Sequence, residues 1–183
     1  LISHNAQSLL PTIKSRCREL RLTNLADSDL INALKQLNCK IPEHDSEIYS
    51  LLSSGSVGNS IRLLEHDGAS LYRTLLSFLN QLPNLNNFEL EKFITTFLGN
   101  KNKSRLELFV ELLNMTIARI SKAGIMGNNH SHQLLKDEIE IFEKLCPTPN
   151  IAREWAELAQ KQSEKLKHGL AVNLDPGSLI LDT

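Results

Sequence analysis

From residue 25 onward the apolar residues recur at helical spacing almost everywhere, and the stretch 104–122 does so most clearly. There Leu106, Phe109, Val110, Leu113, Ile117 and Ile120 fall on one stripe for about four turns. A chain patterned this way presents no period-two faces with which to build a sheet. With few β-branched runs and only 8 glycines among 183 residues, a substantial sheet is excluded and an all-α body is expected.

The helices can be read one by one. Residues 27–39 place Leu30, Ile31, Leu34 and Leu37 on one stripe, with Asp27 or Ser28 available to cap the free N–H groups of the first turn. After a break at Pro42, residues 46–54 carry Ile48, Leu51 and Leu52; Gly55-Ser56 punctuates, and 57–64 carries Val57, Ile61 and Leu64. Three short helices make a compact small domain. Longer ones follow over 69–80 (Leu71, Leu75, Phe78, Leu79), 87–98 (Leu90, Phe93, Ile94, Phe97) and 104–122, and the Gly- and Asn-rich segment 124–129 is expected to end the last of them. A further pair, 131–145 (Leu135, Ile139, Phe142) and 149–168 (Ile151, Trp155, Leu158, Leu166), is divided at Pro147 and Pro149, so the second half reads as a helical bundle. The first 22 residues differ, with Leu1-Ile2 resembling the end of a buried strand and Leu20-Arg21-Leu22 a short extended piece.

Charge and cysteine content narrow the function classes. Twenty Lys plus Arg against 21 Asp plus Glu leave a net charge of −1, so the whole-chain field provides no electrostatic grip on DNA. Cys17, Cys39 and Cys146 are odd in number and far apart, without zinc-ligand spacing or a disulfide framework, and a reducing cytoplasm is the expected location. No apolar run approaches the roughly 18 residues that span a bilayer, and no secretory leader is evident. The abrupt opening without an initiator Met, and the uncompleted apolar pattern at Leu179-Ile180-Leu181, suggest a piece of a longer protein.

Two segments carry chemistry. The run Leu9-Leu10-Pro11-Thr12-Ile13-Lys14-Ser15-Arg16-Cys17-Arg18 resembles the Ser-Arg-Cys segment of AAA+ clamp-loader subunits. In that family a strand end carrying the sensor-1 position precedes it, a place that Ser3 or Asn5 would fill here. The resemblance implies that Arg16 is an arginine finger inserted into the ATP site of a neighbouring subunit, with Ser15 and Cys17 supporting the motif and Cys17 packing beneath Arg16. A planar, permanently charged guanidinium suits that task, because it binds phosphoryl oxygens at two points and stabilises the charge spread over them during hydrolysis. The plainer alternative is that Arg16 pairs with a nearby acid such as Glu19.

The second segment, Ser54-Gly55-Ser56-Val57-Gly58-Asn59-Ser60-Ile61-Arg62-Leu63-Leu64, resembles the sensor-2 helix of the same family's lid. Motor subunits read Gly-Ser-x-Arg at its start, where the Arg touches the phosphates of the chain's own ATP. Gly58 stands at that position, which implies a subunit that does not hydrolyse ATP. Arg62, one turn later, is an alternative cation. The local alternative for Gly55 and Gly58 is a helix start and a close helix crossing.

Taken together, the resemblance implies the end of an AAA+ core over 1–23, a three-helix lid over 24–67 and a helical collar over 68–183. The first 66 residues carry the motifs; the collar is implied by the helical pattern alone. Expected partners are the clamp-loader subunits tau/gamma and delta and, through the complex, the sliding clamp and primed DNA served by DNA polymerase III, with no membrane involved. Helix 104–122 would bury one stripe and offer a second to neighbouring collars, and Phe78, Phe93, Phe97 and Trp155 are candidates for that shared core. A tau/gamma-type motor ATPase fragment and a helical adaptor unrelated to replication are the alternatives.

No Gly-x-x-x-x-Gly-Lys-[Ser/Thr] loop occurs, so the chain is not expected to cradle a nucleotide or hydrolyse ATP itself. No cofactor is expected in it, ATP and Mg being held by neighbouring subunits. The pair His130 and His132 lacks further ligands for a metal. His4, His44, His66 and His168 are isolated, and the alternating Lys161, Lys165, Lys167, Glu157 and Glu164 read as a solvated helix face.

Overall fold

The computed structural model describes residues 2–3, 9–97, 102–126 and 135–171; the side chains of 163 and 165–171, and the residues between and beyond these ranges, are not described. Among the described residues the chain is all-helical, without a strand. In order come α1 (Pro11–Lys14), α2 (Asp27–Gln36), α3 (Ser46–Ser53), α4 (Val57–Glu65), α5 (Gly68–Gln81), α6 (Asn87–Thr95), α7 (Lys103–Met126), α8 (Lys136–Leu145) and α9 (Pro149–Ala171), with a short 3-10 turn, Glu43–Asp45, leading into α3. Most of the anticipated helices are present within a few residues of their expected ends. Ile2 is exposed and outside any regular element, contrary to the expectation of a buried strand end, and no described strand is available to pair with it. Leu1, Asn5, His130 and His132 lie outside the described residues.

Local chemistry sets several boundaries differently from the sequence reading. The N-cap of α2 is Ala26, without a side-chain capping bond. Asp27 and Asp29 instead lie inside the first turn, where their charges oppose the positive end of the helix dipole. At α4 the cap is a hydroxyl, Ser56 Oγ accepting from the Asn59 N–H at 3.3 Å. The long helix α7 does not stop before Gly124 but runs on to Met126. A Cβ at Gly124 would collide with Cys146 Sγ and lie 3.0 Å from the Ala152 Cβ. The glycine therefore allows a close approach between α7 and the start of α9, which packs extensively along it.

One apolar cluster holds the body together. It runs from Ile48, Tyr49 and Leu52 of α3 and Leu63 of α4, through Leu71, Tyr72, Leu75 and Leu79 of α5, to Phe109 and Ile120 of α7, Phe142 of α8 and Ala152 of α9. It thus crosses the junction between α4 and α5. Leu30 and Leu34 of α2 are buried but lie outside this cluster, and the main packing partner of α2 is α4. Helix α7 buries Leu108, Leu112 and Thr116 as well as Leu106, Phe109, Ile117 and Ile120. The second face expected to serve neighbouring collars is therefore largely covered within the chain, by α5, α8 and α9.

The aromatic residues expected at a shared core, Phe78, Phe93, Phe97 and Trp155, are buried or partly buried within the chain. Phe93 stacks edge-on against Phe78, Phe97 and Phe109, with centroid separations of 5.3, 4.9 and 5.0 Å, an arrangement that aligns ring edges with π-faces. Trp155 packs against the core, and its indole N–H donates to the Leu145 carbonyl at 3.0 Å. It is a core residue, as its place among Ile151 and Leu158 indicates. No described helix is long and apolar enough to cross a membrane.

Candidate functional site

The Ser-Arg-Cys segment begins at Pro11, whose fixed φ and missing N–H suit the first position of a helix. Helix α1 lasts a single turn, and the chain then folds back on it: the Arg16 and Cys17 N–H groups both donate to the Ile13 carbonyl, at 3.2 and 3.1 Å. Ser15 Oγ donates to the Thr12 carbonyl at 3.2 Å. These bonds hold the Arg16 backbone at the end of a closed turn while its side chain stands exposed.

Arg16 does not pair with Glu19. That carboxylate accepts from Arg21 Nε at 2.8 Å, which leaves Arg16 without a hydrogen-bond or ion-pair partner among the described residues. Cys17 is exposed and free, so it does not pack beneath Arg16 as expected; α1 buries no residue and there is no apolar layer under the turn for a thiol to enter. From Leu10 to Asp29 no residue is buried, and Leu10, Leu20 and Leu22 are all exposed.

The chain that follows the first segment meets the second. Leu25 N–H donates to the Gly55 carbonyl at 3.1 Å, so the chain leaving the Ser-Arg-Cys segment docks on the turn between α3 and α4. Gly55 has φ +73°, and a Cβ there would collide with the Leu25 carbonyl and come within 2.8 Å of its nitrogen. Both the left-handed backbone and the approach of Leu25 require glycine. Gly58 is different. It is exposed, with nothing within 4 Å of a Cβ placed on it, so it is not a close helix crossing, and this face of α4 is sterically open.

Arg62, the alternative cation on α4, is engaged elsewhere. Its Nη1 and Nη2 donate to Glu111 Oε2 and Oε1 of α7 at 2.9 and 3.0 Å, a two-point fork across to the long helix. A second ion pair crosses the α4–α5 junction in the opposite sense, from Arg73 of α5 to the buried carboxylate of Asp45, which His44 Nε2 also approaches at 3.3 Å. His66 and Asp67 join α4 to α5, with Asp67 in the left-handed region at φ +55° and Gly68, the first residue of α5, packed beneath Leu63.

The sequence reading passed over Glu138. Its carboxylate is fully buried between α5, α7 and α8. Oε1 accepts from the Tyr72 hydroxyl and from Arg119 Nε at 3.2 Å; Oε2 accepts from Arg119 Nη2 at 2.6 Å and from the Leu135 N–H at 2.8 Å. Burial first, then the Glu138 charge and its hydrogen bond, push the Tyr72 phenol far above its ordinary range, against an opposing pull from Arg119. Every acceptor position of the carboxylate is directed at a protein donor, so the group ties three helices together and has no open side for a ligand. Among the described residues no group of three or more His, Cys, Asp or Glu could hold a metal ion.

Comparison with protein-family models, curated proteins and solved structures finds no match to this chain.

Proposed function

We propose that the chain is a non-hydrolysing AAA+ subunit of a bacterial replicative clamp loader, acting as a stator whose Arg16 completes the ATP site of an adjacent motor subunit. Within that class the motif order, with Gly58 where motor subunits carry Arg, favours the delta prime subunit. The observation that supports this reading is the state of Arg16: its backbone is fixed by the closed turn after α1, while its guanidinium is exposed and has no ion-pair partner among the described residues. Such a group can enter a neighbour's site without first breaking an ion pair.

In this reading the neighbour holds ATP and Mg, and Arg16 supplies positive charge to the phosphoryl group as it leaves, through the two-point hydrogen bonding that a guanidinium allows. Gly58 puts no fixed charge toward a nucleotide from α4, consistent with a chain that assists hydrolysis in trans. Collar helices α5 to α9 would join the ring that opens the sliding clamp and places it on primed DNA.

The test is the DNA-stimulated ATPase rate of the reconstituted loader containing full-length wild-type protein or Arg16→Ala, with assembly followed by gel filtration. A fall of about tenfold or more in an assembled complex is expected from loss of an arginine finger. An unchanged rate in an assembled complex would reduce Arg16 to a surface residue.

A further inference from the structure

We propose that the Arg62–Glu111 pair is a releasable clasp that sets the angle of α4, and with it α2 and the Ser-Arg-Cys segment, against the rest of the molecule. The inference does not depend on the proposed function. It rests on how unequally the N-terminal helices are fastened to the body.

Helix α3 is held firmly. Ile48, Tyr49 and Leu52 belong to the main apolar cluster, and the Asp45 carboxylate at its N-terminal end is buried with Arg73 across the junction. Removing a partner from a buried carboxylate is costly, so this attachment stays closed under ordinary conditions. Helix α4 packs on α3 and α5, but few of its side chains reach the apolar cluster. Leu63, over Gly68, is its fully buried apolar contact with the cluster, while Ile61 and Leu64 are only partly covered. What fixes it to α7 beyond that is the Arg62–Glu111 fork, whose side chains are 36% and 59% exposed. An ion pair so open to water is weak and is screened by salt.

What moves with α4 also follows from the contacts. Leu30 and Leu34 of α2 are buried apart from the main cluster, and α2 packs principally on α4. The Leu25–Gly55 bond then links the 9–26 segment to the turn that begins α4. On its C-terminal side α4 is joined to α5 by His66 and Asp67, with Asp67 in the left-handed region, a conformation asparagine and aspartate adopt more readily than other non-glycine residues. Opening the clasp therefore releases α4 from α7 and lets it, with α2 and the basic N-terminal segment, pivot on its packed contact with α3, which remains anchored.

Native-state hydrogen exchange on the whole chain tests this, comparing wild type with Arg62→Gln, Glu111→Gln and the charge-swapped Arg62→Glu/Glu111→Arg double variant, at low salt and at high salt. The expected result is exchange about two- to fivefold faster in α2 and α4 for either single variant, and for wild type at high salt. The swap should restore protection at low salt, and α5 and α8 amides should not change. Unaltered exchange in α2 and α4, equal acceleration in α5 and α8, or failure of the swapped pair to restore protection would each overturn the proposal.

Discussion

A glycine is informative only through what surrounds it, and Gly124 and Gly58 lie in opposite surroundings. At Gly124 a methyl group would meet the buried Cys146 sulfur and the Ala152 methyl, and neither can retreat without separating α7 from α9. Gly124→Ala should cost about 2 kcal/mol, the usual scale for forcing extra volume into a packed contact. At Gly58, the second residue of α4, the same methyl enters open space and reduces the freedom of the unfolded chain, so Gly58→Ala should stabilise by about 0.5 kcal/mol. Urea denaturation of the two variants beside wild type measures both, and opposite signs are expected. From the sequence Gly124 reads as a breaker, because its neighbours are Gly and Asn; only the approach of Cys146, 22 positions away, makes it a packing residue. Cys17 is the converse, a residue assigned to packing that has no layer to pack into.

At the scale of elements the helical period was readable because it is local, whereas the stripe actually buried depends on partners distant in the chain. Helix α8 illustrates this. Its sequence suggests a stripe of Leu135, Ile139 and Phe142, yet the buried residues are Glu138, Ile141 and Phe142. A carboxylate at a core position looks like a solvent residue until Tyr72 and Arg119 are brought to it from other helices, beside the local Leu135 N–H. The Arg62–Glu111 fork was invisible for the same reason, since 49 positions separate its members. Nor was it legible that the chain after the Ser-Arg-Cys run docks through Leu25 on Gly55, between α3 and α4. Glu138→Ala should be strongly destabilising, by about 3 to 5 kcal/mol, because it breaks a buried ion pair with Arg119 and removes the carboxylate to which the Tyr72 hydroxyl donates. Tyr72→Phe should cost less, about 1.5 to 3 kcal/mol, the scale of one lost hydrogen bond to a charged group. Thermal or urea unfolding with an assay of retained helicity distinguishes these two magnitudes.

For the whole molecule, the groups whose proton affinity changes on folding predict an alkaline limit to stability. Burial raises the Cys146 thiol above its ordinary 9.0. Burial, followed by nearby Asp45 and Asp67, raises the Tyr49 phenol above 10.0, and burial with Glu138 raises Tyr72 further. In each case the folded protein holds the proton more tightly than the unfolded chain does. Below about pH 9 both states are protonated and these groups contribute no slope. As pH rises past 9 for the thiol and 10 for the phenols, the unfolded chain loses protons that the folded one retains, so stability falls. A fully buried group of this kind contributes a slope approaching 1.4 kcal/mol per pH unit. Tyr72 is the strongest case, and Tyr72→Phe removes its titration while leaving all other groups in place. At pH 8 the variant should be the less stable protein; the gap should close as pH rises above 10, because only wild type still has this phenol to deprotonate on unfolding. Urea midpoints taken between pH 8 and 11 would check the convergence. A gap that stays constant across that range would show that the Tyr72 proton is no more tightly held in the folded protein than in the unfolded chain, and that its bond to Glu138 acts as a neutral contact.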